Sequence, residues 1–98
     1  MFWFFNLVQI LDFFYHKDIY LCLVFELLYC SLFQILHKVG GCGLPVYVVH
    51  RCAQDMFTAL TFLQKNRIVH GDIKLSNVMW SGDSELFKLV DFGLSFID

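Results

Sequence analysis

Apolar residues fill this chain in short runs that polar residues interrupt every few positions. Residues 7–14, LVQILDFF, and 19–26, IYLCLVFE, are two such runs, split by Tyr15-His16-Lys17-Asp18. Bulky and β-branched residues on either side of a polar turn predict an antiparallel strand pair. The second run is almost unbroken in apolar residues, which predicts a strand buried on both faces. Ser31 then precedes LFQILHKV, with Gln34 three residues on. That capping-box spacing opens a short helix, which Gly40 and Gly41 should end. Pro45 is placed to begin a second helix. From there Val49, Cys52, Ala53, Met56, Leu60 and Leu63 recur at helical spacing, while Arg51, Gln54, Asp55 and Lys65 lie off the stripe. An amphipathic helix is therefore expected over 46–65, closed by Lys65-Asn66, with its stripe serving as core packing. Beyond it come short pieces: RIVH, NVMW, a hairpin signal at Ser81-Gly82-Asp83-Ser84, then ELFKLVDF.

Two polar stretches stand out against this pattern: IVHGDIKLSN at 68–77 and VDFGLS at 90–95. Burying such groups without partners is costly, so either they satisfy one another or they hold something. Both fall in loops between short strands, after a long buried helix, where chemistry is usually mounted.

Composition narrows the choices. The 98 residues suit one small domain or part of a larger one. Their 58% apolar content exceeds the usual fraction, about 45–50%. Mean hydropathy is +0.62, yet Asp12, His16, Lys17, Asp18, Glu26, His37 and Lys38 break every run that might span a bilayer. The opening MFWFFNLVQIL lacks the basic n-region and small-residue cleavage site of a secretion signal. The apolar excess instead predicts a slice from the interior of a larger domain. Cysteines at 22, 30, 42 and 52 form no C-x-x-C pair, so reduced thiols are expected rather than disulfides or a zinc site. With a net charge of −2 and seven scattered Lys/Arg residues, no basic stripe for nucleic acid is present.

His70-Gly71-Asp72-Ile73-Lys74-Leu75-Ser76-Asn77, followed by Asp91-Phe92-Gly93, resembles the catalytic loop and metal-binding triplet of eukaryotic serine/threonine protein kinases. Asp72 and Asn77 stand five positions apart, and a hairpin separates the loop from the triplet, as that family requires. The resemblance implies a phosphoryl transferase using ATP and Mg²⁺ to modify a Ser or Thr hydroxyl of a protein substrate. Asp72 would orient the hydroxyl and accept its proton, and Lys74 would reach the γ-phosphate. Asn77 and Asp91 supply the hard oxygens that Mg²⁺ prefers. Gly93 would permit the turn that aims Asp91. His70 would pack on Phe92 and is structural rather than catalytic.

The resemblance also reaches upstream. The strand pair 7–26 looks like part of the small lobe, and 27–30 like the hinge to the large lobe. Phe25 then falls behind the adenine. The Glu26 carbonyl and Leu28 amide would bond its edge, Met79 would form its floor, and Val90 would lie at the back of the pocket. The implied fold is α+β, with residues 1–98 forming the middle portion of a bilobal kinase domain: strand pair and hinge of the small lobe, two helices and catalytic-loop hairpins of the large lobe. Within the family, HRCAQDMFTALTFL and NVMWSGDSELFKLVDFGLSF look most like the stathmin-interacting kinase branch, with the dual-specificity tyrosine-regulated branch second. That branch suggests a place in nucleus and cytoplasm.

The departures matter too. Gly71 stands where an arginine is common, which puts in question activation through a phosphorylated activation loop. Leu75 and Ser76 replace a common proline and acidic residue. Neither a glycine-rich loop nor a strand lysine is found ahead of residue 7, and no activation loop is found within these residues. MFWFF fits poorly before the first strand and suggests a truncated reading frame. The 98 residues are thus expected to be inactive alone, and a non-catalytic kinase-like binding or scaffold module is the alternative reading.

Overall fold

A three-residue connection, 17–19, closes the first hairpin. Lys17 and Asp18 both occupy the left-handed region, with φ of 54° and 57°, and the Ile19 N–H donates to the His16 carbonyl at 3.2 Å. Left-handed residues at both central positions match the right-handed twist of the flanking strands. These are β1 (Ile10–His16) and β2 (Tyr20–Phe25), paired antiparallel with a register shift between Ile10 and Asp12. The computed structural model describes residues 6–98, so the MFWFF stretch lies outside the described residues.

The expected pairing of these strands is present, but the expected burial of β2 on both faces is not. Leu21, Leu23 and Phe25 are exposed, Cys22 and Val24 are half-buried, and all of β1 is exposed. Among the described residues this sheet has only two strands, so nothing covers its faces.

After the connection 26–29, β3 (Cys30–Ser31) leads into α1 (Leu32–Lys38). The predicted capping box is formed. The Gln34 N–H donates to Ser31 Oγ at 3.1 Å, and the Ser31 N–H donates to Gln34 Oε1 at 2.8 Å. A 3₁₀ turn over Gly40–Cys42 ends that segment, and α2 runs Val46–Lys65 from Pro45. A short strand β4 (Ile68–Val69), a 3₁₀ turn over Leu75–Asn77, the hairpin β5 (Val78–Ser81) with β6 (Leu86–Leu89), and β7 (Phe96–Ile97) complete the order. Ser81 Oγ accepts from the Ser84 N–H at 3.2 Å within the predicted turn. The architecture is therefore mixed α and β, as expected.

Two sheets organise this half. One has the order β3–β5–β6, and residues 6–8 extend it along the far edge of β6 through a parallel bridge between Leu7 and Leu89. The other pairs β4 with β7. Leu7, Leu32, Ala59, Leu63, Val78, Phe87 and Leu89 form the core between α1, α2 and the hairpin. All four cysteines are free thiols, and among the described residues no helix is long and apolar enough to cross a membrane.

The stripe of α2 differs from expectation in one informative way. Val49 and Ala53 are exposed, whereas Val48, Cys52, Asp55, Ala59 and Leu63 turn inward. Asp55 is buried because it has work at the hairpin: Oδ2 accepts the Phe87 N–H at 2.9 Å. Arg51, one turn earlier, lies 3.3 Å from the same carboxylate and also donates to the Glu85 carbonyl. Burial, with the Asp55 charge adding to it, pushes the neighbouring Cys52 thiol up from its ordinary value. Asp55→Ala would strand a buried amide, so it should lower unfolding stability by about 1–3 kcal/mol. Asp55→Asn, which keeps an acceptor, should recover part of that loss. Chemical denaturation of the three proteins checks both.

Candidate functional site

The sheet topology places the two polar stretches side by side. One loop runs from β4 to β5 and contains residues 70–77; the other runs from β6 to β7 and contains residues 90–95. Because β5 pairs with β6 and β4 with β7, both antiparallel, these loops must travel together between the two sheets.

His70 joins them. Its ring is buried, Nδ1 accepts the Asp72 N–H at 3.1 Å, and Nε2 lies 2.8 Å from the Val90 carbonyl. With one nitrogen accepting from an amide, the other must carry the proton and donate to the carbonyl. The same ring meets Phe92 edge-on, with centroids 4.6 Å apart. The expected packing of His70 on Phe92 is therefore present, and the histidine has no nitrogen left for chemistry.

Asp72, Lys74 and Asn77 converge within the first loop. Asn77 is buried, and its Nδ2 donates to the Asp72 carbonyl at 2.8 Å and to Asp72 Oδ2 at 3.2 Å. Lys74 Nζ lies 3.7 Å from the same Oδ2. The 3₁₀ turn brings them together, through an Asn77 N–H bond to the Lys74 carbonyl at 2.9 Å. The Val90 N–H donates to the Asn77 carbonyl at 2.9 Å, which seats the residue before Asp91 against this cluster.

Asp91 is exposed and occupies the left-handed region, with φ of 59°. Gly93 was expected to supply that freedom, but the left-handed residue is the aspartate itself. Asp tolerates this region better than most side chains do. Gly93 contributes by close approach: its N–H donates to Asp91 Oδ1 at 3.2 Å, and a Cβ there would sit 3.2 Å from the same oxygen. Both Asn77 Oδ1 and Asp91 Oδ2 accept no hydrogen bond among the described residues. Hard, unengaged oxygens of this kind fit Mg²⁺, which takes one or two protein ligands and completes its shell with water and phosphate.

The residues expected around an adenine begin next to this cluster, with Met79 two residues after Asn77 and Val90 just before Asp91. Met79 and Val90 are half-buried, Glu26 and Leu28 are half-buried in the 26–29 connection, and Phe25 is exposed at the end of β2. Among the described residues, no hydrogen bond engages the Glu26 carbonyl or the Leu28 amide. Sequence reasoning passed over Lys88. It is buried, and its Nζ lies 2.9 Å from each oxygen of Glu26.

Gly71 is needed for shape. Its φ is +87°, and a Cβ there would meet the Leu94 carbonyl oxygen at 2.8 Å. The missing side chain thus lets the second loop press directly on the first.

The sequence profile described as the protein kinase domain matches residues 3–97. The chain belongs to that family, of which it carries a fragment. Serine/threonine-protein kinase Kist from Homo sapiens and from Mus musculus is 43% identical over 75 residues, 76% of this chain and 18% of the relative. The dual specificity tyrosine-phosphorylation-regulated kinase mbk-2 of Caenorhabditis elegans is 33% identical over 94 residues, 95% of this chain and 11% of the relative. Serine/threonine-protein kinase prpf4B of Dictyostelium discoideum is 36% identical over 87 residues, 88% of this chain and 11% of the relative. The chain thus spans less than a fifth of the length of these curated relatives. The branch resemblance read from the motifs agrees with the Kist relatives.

Gly71→Ala places a side chain in the left-handed region and against a backbone carbonyl. The conformational part alone should cost about 1–2 kcal/mol of unfolding stability. Chemical denaturation measures it, and Gly82→Ala, where an added Cβ meets nothing within 4 Å, is the control.

Proposed function

We propose that residues 1–98 are the central part of a serine/threonine protein kinase domain, in which this chain supplies the hydroxyl-activating loop, two metal ligands and the adenine-facing hinge. The observation that carries this reading is the convergence of Asp72, Lys74 and Asn77 in one loop, with Asp91 held beside them through the Val90–Asn77 bond. A binding module has no physical need for that set.

The roles follow from position and charge. Asp72 carries the carboxylate that orients a substrate Ser or Thr hydroxyl and takes its proton; Asn77 Nδ2 holds one of its oxygens in place. Lys74, on the same loop and largely exposed, offers a cation for the transferring phosphoryl group. Asn77 and Asp91 are the ligands for Mg²⁺, which when bound neutralises phosphate charge. The Glu26 carbonyl and Leu28 amide take the adenine edge, with Met79 as floor, Val90 at the back and Phe25 behind the adenine. The Kist relatives support the serine/threonine class.

Positioning supplies most of the catalysis in phosphoryl transfer. The 98 residues by themselves contain no strand lysine ahead of the first hairpin and no peptide platform, so the purified chain should transfer no phosphate to a general protein substrate. Radiolabelled ATP with myelin basic protein is the assay. Transfer above a control carrying Asp72→Asn would show the chain to be self-sufficient.

Within a complete kinase domain containing these residues, Asp91→Asn removes the charged metal ligand and should weaken Mg²⁺-dependent ATP binding by about tenfold or more. Asp72→Asn acts on the hydroxyl, so it should leave ATP affinity within about twofold while lowering turnover by about a hundredfold or more. Calorimetric titration with ATP and steady-state kinetics separate the two. Equal loss of nucleotide affinity in both variants would contradict the roles assigned here. Absence of both turnover and nucleotide binding in the parent domain would favour the non-catalytic module.

A further inference from the structure

We propose that Lys88 is a positioning residue: through Glu26 it fixes the 26–29 backbone over the hairpin, and so sets where an adenine ring would bind. This rests on the nucleotide reading above and deepens it by naming a residue that touches neither nucleotide nor metal.

Lys88 is only 2% exposed, in the middle of β6. A buried ammonium needs a partner that answers its charge. Glu26 provides one, with both carboxylate oxygens 2.9 Å from Nζ. That carboxylate is itself fixed. Oε2 accepts the Gln9 N–H at 2.7 Å, while the Glu26 N–H donates to the Gln9 carbonyl at 3.0 Å. Glu26 therefore cannot follow the lysine or leave it without breaking a second contact.

The register gives this pair its consequence. Lys88 faces Met79 across the β5–β6 ladder, and directly opposed residues project from the same face of a sheet. The lysine stem thus rises beside the side chain assigned to the adenine floor and ends on the hinge. Three residues beyond Glu26, the Tyr29 N–H donates to the Trp80 carbonyl at 2.9 Å, on the neighbouring position of β5. The connection is consequently tied to the same hairpin at both ends, by an ion pair at Glu26 and a backbone bond at Tyr29. Between these ties lie the Glu26 carbonyl and the Leu28 amide, neither of which has a hydrogen-bond partner among the described residues. Remove the ion pair and one tie is lost, while the charge left behind favours a carboxylate that swings out to water.

The test uses the whole chain, as parent, Lys88→Met, Glu26→Gln and the swapped pair Glu26→Lys with Lys88→Glu. Hydrogen exchange is read at the Glu26 and Tyr29 amides, with the Ala59 and Leu63 amides of α2 as controls. In Lys88→Met and Glu26→Gln, exchange at Glu26 and Tyr29 should rise by about tenfold, with α2 unchanged, and the swap should restore part of the protection. The Glu26→Gln variant keeps an acceptor for Gln9, so it remains informative if Lys88→Met does not fold. Unchanged exchange at Tyr29 in Glu26→Gln, or an equal rise in α2, would overturn the tether. Binding, read for the same substitutions in a complete kinase domain containing these residues, then separates the tether from the nucleotide reading. Mg²⁺·ATP affinity should fall about tenfold in the single variants, while affinity for Mg²⁺·tripolyphosphate, which lacks adenine, stays within about twofold. An equal fall for both ligands would overturn the positioning role. If that parent domain binds neither ligand, the nucleotide reading fails and takes the adenine consequence with it, whereas the exchange data still decide the tether.

Discussion

Strand β6 has to be hydrogen-bonded along both edges, and the rest of the molecule is arranged around that need. Leu89 is fully buried and Phe87 and Lys88 nearly so, and a buried backbone group without a partner costs as much as a lost hydrogen bond. One edge is met by β5. The other is met by two separate parts of the chain, residues 6–8 and α2. The Leu89 N–H donates to the Asn6 carbonyl at 2.8 Å, the Val8 N–H donates to the Leu89 carbonyl at 3.1 Å, and Asn6 Nδ2 donates to the Phe87 carbonyl at 3.0 Å. Asp55 takes the Phe87 amide from the side of α2. The segment before β1, the long helix and the hairpin are therefore joined at Phe87 and Leu89, and the strand leads directly into Val90 and Asp91.

That arrangement explains why polar residues are so dense in a chain that is 58% apolar. Asn6, Asp55, His70, Asn77 and Lys88 are all buried, and each has a specific partner. Three of them serve backbone groups that the short strands cannot satisfy alone. His70 ties the two loops, and Lys88 ties the hinge. Among the described residues no buried side-chain nitrogen or oxygen lacks a partner. Asp72, Lys74 and Asp91, which are assigned to chemistry, are by contrast exposed or half-exposed.

Local rules made much of this legible in the sequence. The capping box at Ser31 and Gln34, the start of α2 after Pro45, the hairpin at Ser81–Ser84 and the loop from His70 to Asn77 each depend on residues close together in the chain. What could not be read depends on residues far apart. Lys88 and Glu26 are 62 positions apart, Asn6 and Phe87 are 81, and neither pairing has a local signature. Asp55 was missed for a different reason. Anchoring the α2 stripe on Val49 makes Asp55 look solvent-facing, whereas anchoring on Val48 carries it inward with Cys52, Ala59 and Leu63. A charged residue was assumed to face water, and a strand amide in need of an acceptor reversed that. The burial of β2 misled in the opposite sense, because an apolar run reports the surface a strand is suited to meet and not whether a partner covers it.

The two loops also constrain each other's backbone. They must run side by side between the β4–β7 and β5–β6 pairs, which leaves little room where they touch. Each contributes one residue in the left-handed region at the contact: Gly71, φ +87°, in the first loop and Asp91, φ 59°, in the second. Glycine takes that conformation without cost, and here its missing side chain also admits the Leu94 carbonyl. Aspartate takes it at some cost, which the structure holds in place through the Val90 bond to Asn77, the His70 bond to the Val90 carbonyl and the packing of Phe92 on His70. Reversing the two residues would give the same backbone without a carboxylate at the exposed corner and with a side chain in the crowded one. The order in which glycine and aspartate occur is thus set by packing on one loop and by the need for an outward-facing charge on the other.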